Sequence, residues 1–309
     1  MLTLLLHPHF SAVAPGGRWA AIADMTTGRQ GPGAAALNGT LYVVGGHDGT
    51  AMLSSAERFD AATNSWSAVA NMSMARTQPA AAATQNGMLY VVGGWSRPSS
   101  PSSPPGYLRS GEAFDPASRS WSPVANMSVA RQGPGAAALG GRIYVVGGWD
   151  GAATLKSGEV FDPAANSWSA IADMSVPRNA PGVVALGGKI YAVGGFDGAT
   201  VLKSGEVFDP AANSWRAIAN MSVARWLLGA AALGGKLYAL GGNNPAARLT
   251  FSSGEVFSPL ADSWSTIANM TTGRSSPGAA ALNGKIYVAG GDAGDASDAL
   301  VGAEAFTPP

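Results

Sequence analysis

The chain has no cysteine in its 309 residues, which removes disulfides, a Cys-x-x-Cys redox pair and thiolate metal sites. It has no excess of either charge, with 19 lysines and arginines against 19 aspartates and glutamates. No cluster of basic residues is visible, so nucleic acid is not an expected partner. No apolar run approaches the roughly 18 residues of a membrane span, so a membrane is not expected either. The opening MLTLLLHPHF is apolar but carries no positive charge ahead of its run, Arg18 being the first basic residue. That makes a poor secretory leader and favours the cytoplasm while leaving the compartment open. Histidine is scarce: His7, His9 and His47 are the whole set, and an HPH pair without further partners is no ligand set for a metal. No cofactor is implied. Charged residues make up only 12% of the chain, while glycine (42 residues) and alanine are abundant. Such a mixture suits closely packed strands and tight turns better than long amphipathic helices.

The residues that are present recur. Glycine pairs stand at Gly45-Gly46, Gly93-Gly94, Gly147-Gly148, Gly194-Gly195, Gly241-Gly242 and Gly290-Gly291, each with a tyrosine three residues before its first glycine, from Tyr42 to Tyr287. Downstream come Glu-x-Phe elements, from Glu57-x-Phe59 to Glu304-x-Phe306. Tryptophans follow at Trp19, Trp66, Trp121, Trp168, Trp215 and Trp264, each trailed by Met six residues later and Arg ten residues later. The spacing from Arg131 to Arg178, and again from Arg178 to Arg225, is 47 residues. Agreement at about seven positions across six copies leaves chance no role.

Each copy reads as four short strands separated by turn signals, here lettered a to d. In the third copy they are Gly135–Leu139, Arg142–Gly147, Ser157–Phe161 and Ser167–Ile171. Four strands per copy make one blade of a radially repeated sheet. Strand a reads GAAAL or a close variant in every copy, side chains too small to cover a wide sheet but suited to the wall of a channel where six strands converge. The glycine pair ending strand b removes Cβ atoms where neighbouring backbones approach. Tyr and Trp on strands b and d fill the wider space between blades, and truncating a buried repeat Trp is expected to cost about 3–5 kcal/mol.

This pattern resembles the Kelch repeat over residues 18 to 309. The expected fold is all-β, a six-bladed Kelch-type β-propeller with four antiparallel strands per blade. Residues 18–25 form a d-type strand with nothing of its own copy before it, and the last copy stops at Pro309 without a strand d. The two ends are complementary, so the N-terminal strand is expected to close the last blade and cover an open edge. The blades then span approximately 29–72, 76–127, 131–174, 178–221, 225–270 and 274–309, with residues 1–17 as a tail.

The resemblance also implies where a ligand would bind, since Kelch-like propellers commonly use the face carrying the b–c and d–a loops. The first b–c residues are His47, Trp95, Trp149, Phe196, Asn243 and Asp292. The first d–a residues are Gln30, Thr77, Gln132, Asn179, Trp226 and Ser275, with Gln78 beside Thr77. These positions change while the scaffold around them stays fixed, the division expected of a repeat fold whose loops carry recognition. An aromatic, amide-lined mouth with little charge suits a peptide, a sugar or an apolar ligand better than a phosphate. The competing reading is that the aromatics pack on neighbouring loops. A Pro- and Ser-rich insertion, Ser96–Tyr107, is expected as an extended loop on the same face, a rim or flap or else a neutral surface insertion. The loop Asn243–Phe251 is a smaller variation of that kind.

Other motifs read as structural. Asp48-Gly49, Asp150-Gly151 and Asp197-Gly198 are tight-turn signals before they are carboxylate sites. The repeated Glu and Arg, such as Glu159 and Arg178, point to scaffold pairing. Asn-x-Ser/Thr at Asn38, Asn71, Asn126, Asn220 and Asn269 arises mainly from the repeated Asn-Met-Ser/Thr turn. Kelch adaptors carry a BTB or F-box region before the propeller, and with only a short tail ahead of residue 18 that role is not expected within this chain. Their arginine grip on acidic peptides has no counterpart at Gly31, Gln78, Gly133, Ala180, Leu227 and Ser276. Copper-oxidase chemistry of the family needs a cysteine and is excluded. Sialic-acid chemistry needs acid–base groups near the axis, and His47, Asp292, Arg97, Arg109 and Arg248 show no spacing that selects a catalytic pair. The expectation is therefore a non-enzymatic, monomeric interaction or scaffold module binding a protein or peptide, with a carbohydrate-binding propeller as the less favoured reading and a sialic-acid-processing Kelch enzyme less favoured still.

Overall fold

The computed structural model describes residues 16–97, 106–294 and 299–309. The expected tail, apart from its last two residues, and most of the Ser96–Tyr107 insertion lie outside the described residues.

Six four-stranded antiparallel sheets are arranged as blades, and strand a of each contacts strand a of the next around the whole ring. In blade three the strands are Gly135–Leu139, Arg142–Val146, Gly158–Asp162 and Ser167–Ile171, within one residue of the sequence expectation. The inner strands approach as their composition implies: a Cβ placed on Gly182 would stand 2.8 Å from the Cβ of Ala230 in the next blade. Larger side chains would force the blades apart.

The sixth blade is completed by the N-terminus. Arg18–Ala21 pairs antiparallel with Ala303–Thr307, with Trp19 opposite Phe306. Side chains extend the seal, since Trp19 stacks on Phe306 at 5.1 Å and its Nε1 donates to the Ala268 carbonyl at 2.8 Å. The same construction links every pair of blades. The strand-b Tyr of one blade meets the strand-c Phe of the next, as in Tyr144–Phe208 at 6.1 Å, and that Phe stacks on its own blade's Trp, as in Phe208–Trp215 at 5.1 Å. Burial divides the aromatics: Phe208 is 1% exposed, whereas every repeat Trp is only half-buried. Each Trp lies across the outer seam with its N–H on a neighbouring carbonyl, so the full-burial cost expected for Trp applies instead to Phe.

The glycine pair locks blades together at the other end of strand b. Gly147 and Gly148 have φ of 69° and 99°, and the Gly148 N–H donates to the Arg178 carbonyl of the next blade at 2.8 Å. All six second glycines make this bond, the last from Gly291 back to Arg29. The Asn243–Phe251 segment is a small hairpin, Asn243–Asn244 with Leu249–Thr250, around a 3₁₀ turn at Pro245–Ala247.

Candidate functional site

Beneath the loop face lies a repeated buried clamp. Arg178 Nη1 donates to the carbonyls of Gly194 and Ser204, both at 2.9 Å, and Nη2 reaches Glu206 Oε1 at 3.1 Å. The other oxygen of Glu206 accepts the Ser175 N–H at 2.7 Å. One guanidinium and one carboxylate thus tie the incoming d–a segment to both ends of the b–c loop. The pair recurs as Arg29–Glu57, Arg76–Glu112, Arg131–Glu159, Arg225–Glu255 and Arg274–Glu304, at 3.1–3.4 Å with all partners nearly inaccessible. Burial pushes these guanidiniums down from their ordinary value, against the opposing pull of their glutamates. For Glu206, burial acts upward but is outweighed by hydrogen bonds from Ser175 and Arg178, and its carboxyl lies below the ordinary range. The pairing is structural, as the regular recurrence implied.

The clamps hold the variable residues directly above them. In every blade the residue after the glycine pair bridges to the residue after the arginine: Gln30 with His47, Thr77 with Trp95, Gln132 with Trp149, Asn179 with Phe196, Trp226 with Asn243 and Ser275 with Asp292. In all six the b–c residue also pairs with a later residue of its own loop, for instance Trp149 with Thr154 and Asn243 with Thr250. The backbone at these positions is fixed from two sides, so the differences between blades lie in the side chains.

A cavity of about 870 Å³ opens among these loops. Nine of the thirteen expected positions line it: Gln30, His47, Thr77, Gln78, Trp95, Gln132, Asn243, Ser275 and Asp292. Trp149, Asn179, Phe196 and Trp226 do not. Three of these four join one another: Trp226 stacks on Phe196 at 5.4 Å and its Nε1 donates to Asn179 Oδ1 at 3.1 Å. The cavity wall is completed by Arg97, by Arg248 and Leu249 of the small hairpin, and by Leu227 and Ser276. Asp292 is 7% exposed and accepts Gln30 Nε2 at 3.0 Å and the Gly294 N–H at 3.1 Å. Gln132 Nε2 donates to Gln78 Oε1 at 2.9 Å. The Asn243 side-chain oxygen is buried without a hydrogen-bond partner among the described residues.

Beside the cavity runs a ring that sequence reasoning did not foresee. Gly31, Gln78, Gly133, Ala180, Leu227 and Ser276 all adopt left-handed φ, between 48° and 62°. Their N–H groups pass hydrogen bonds from blade to blade, Gly31 to Ser276, Gln78 to Gly31, Gly133 to Gln78, Ala180 to Gly133 and Ser276 to Leu227. Only two of the six are glycine, so the conformation is imposed by ring closure against local preference. The one available signal was the glycine at two equivalent positions. The hairpin wall had a different signal, since the Arg225-to-Arg274 interval is two residues longer than the 47-residue period.

The Asp-Gly pairs close turns. Asp48 Oδ1 accepts the N–H groups of Thr50 and Ala51 and the Thr50 hydroxyl, holding its carboxyl at about 2, with the Ala51 bond as the largest cause. Asp150 and Asp197 make equivalent backbone bonds.

The Kelch motif is matched six times along the chain, at residues 28–73, 76–128, 130–175, 177–222, 227–271 and 273–308. The chain belongs to the Kelch family. Its Kelch relatives include an F-box/kelch-repeat protein of Arabidopsis thaliana, 40% identical over 92 residues that make up 30% of this chain and 18% of the relative. Kelch-like protein 35 of Mus musculus is 33% identical over 130 residues, 42% of this chain and 21% of the relative. The matched segments thus span about a fifth of the length of these curated relatives. The solved structure of YjhT shares the Kelch propeller's fold with a TM-score of 0.77 at 17% identity, covering 93% of this chain and 97% of that one.

Proposed function

We propose that this Kelch propeller is a binding module that takes a peptide or a protein segment into the cavity at its loop face. The observation that carries this reading is the division of labour at that face. Six near-identical clamps fix the backbone, and the side chains set on it differ from blade to blade around a recess of about 870 Å³. A recess of this volume matches ligand sites lined by apolar surface with a few placed polar groups. Gln30, Gln78, Gln132 and Asn243 offer amide groups at its wall that can pair with backbone N–H and C=O, and Trp95 offers an aromatic face. Extended peptide backbone presents both groups along its length.

A carbohydrate is the second reading, favoured by Trp95 at the cavity and by the Phe196–Trp226 stack beside it. A displayed peptide library and a glycan array, probed with the full chain and with Asn243→Ala, separate the two. The peptide reading expects enriched peptides whose affinity falls about tenfold or more in the variant, equivalent to about 1.4 kcal/mol. Sugar signals with no peptide enrichment would transfer the site to the second reading. Silence on both would remove the cavity as a binding site for either class.

A further inference from the structure

The junctions between blades are not all alike. At four of them a side-chain oxygen in the c–d turn of one blade accepts a backbone N–H at the end of strand d in the blade before. Asn64 serves Ala23 at 3.0 Å, Asn166 serves Ala125 at 2.9 Å, and Asn213 and Asp262 serve Ala172 and Ala219, both at 3.0 Å. These acceptor residues share a left-handed φ of 44–49°. Between blades one and two the same turn position, at φ 57°, holds Arg119. Arginine has no acceptor, and the Ala70 N–H has no partner among the described residues.

A second change faces this one. The strand-c residue paired with the strand-b Tyr is Val or Ala in the other five blades, but opposite Tyr42 it is Arg58. The result is a crevice of about 170 Å³ bounded by Tyr42, Phe114, Val69, Ala70, Arg58 and Arg119. Arg58 Nε donates to Ser67 Oγ at 3.1 Å, which aims its guanidinium. Neither guanidinium makes an ion pair among the described residues. The junction of blades five and six provides an internal comparison. It too lacks the Asn and opens a crevice, but Val256 stands where Arg58 does and Lys236 is its one basic residue.

We propose that the crevice between blades one and two is an oxyanion site for a carboxylate or phosphate group. One oxygen would take the place that the Asn or Asp side-chain oxygen fills at the four regular junctions, accepting the Ala70 N–H, while Arg58 and Arg119 supply charge-assisted hydrogen bonds. The crevice shares no residue with the loop-face cavity, so this assignment stands apart from the binding module reading.

Titration of the full chain with sodium phosphate, and separately with sodium acetate, against sodium chloride at matched ionic strength tests it by amide and arginine side-chain NMR. The expected result is a saturable shift of the Ala70 amide and the Arg119 Nε–H. A response to phosphate alone, to acetate alone or to both identifies the source of the anion. Arg119→Asn installs the residue of the regular junctions. It is expected to keep or raise the melting temperature while weakening binding tenfold or more, and Arg58→Val is expected to weaken it as well. An Ala70 amide that moves only as it does in chloride, or an Arg119→Asn chain that binds as tightly as the parent, would overturn the proposal.

Discussion

Two layers of the loop face differ in kind. The lower layer is six Arg–Glu clamps whose closest contacts agree within a few tenths of an ångström. The upper layer is six bridged residue pairs with no two pairs alike. The lower layer teaches that buried charge here serves geometry, and the upper layer teaches that geometry once fixed leaves side chains free to diverge. The upper layer divides again. Blades five, six, one and two, with Gln132 of blade three, surround the cavity, while Phe196 and Trp226 close on each other.

Removing one clamp partner should have the largest effect. Arg178→Ala leaves Glu206 buried without its cation and is expected to cost about 3–5 kcal/mol in urea denaturation. Replacing both with Met and Leu should recover most of that loss, since a buried pair is often matched by apolar packing. If the single change costs nothing, the clamp does not organise the loops. The seam gives the next contrast: Phe161→Ala, from a fully buried position, is expected to cost about 3–5 kcal/mol, and Trp168→Ala, half-buried, about 2 kcal/mol. Equal costs would deny the different burial of the two rings.

The clamps also predict an acid response. Glu206 sits below its ordinary 4.5 in the folded chain, so the unfolded chain binds its proton more readily. Its contribution is fully present above pH 4.5 and is lost as pH falls through the lowered value. Glu206→Gln should flatten stability against pH in that window, and an unchanged slope would contradict the pairing. The smallest expected effect concerns the left-handed ring. Ala180→Gly removes the strain of φ 48° and should raise stability by up to about 1 kcal/mol, less the added freedom of the unfolded glycine.

The blade count, the strand order and the closing strand were legible in the sequence because six copies of Tyr-x-x-Gly-Gly, Glu-x-Phe and Trp repeat every element, and an unmatched Trp19 segment mirrors a missing last strand. Repetition makes weak local signals strong by agreement. The loop face was legible by position, since the changing residues are those the bridges bring together. Which of them turn toward a common recess was not. Whether Trp226 reaches the cavity or stacks on Phe196 depends on neighbouring loops far apart in sequence. The hairpin at Asn243–Thr250 and the left-handed turns at Gln78, Ala180, Leu227 and Ser276 likewise follow from ring closure, which no local pattern encodes.

The central claim is that the recess, and not the stacked aromatic arc beside it, is the binding surface. Affinity for a peptide selected from the library, measured in parallel for Gln132→Ala, Asn243→Ala and the pair Phe196→Ala with Trp226→Ala, tests it most directly. The account predicts about tenfold or greater weakening from each of the first two and little change from the aromatic pair in chains that remain folded. Unchanged binding in the first two with loss in the aromatic pair would contradict it.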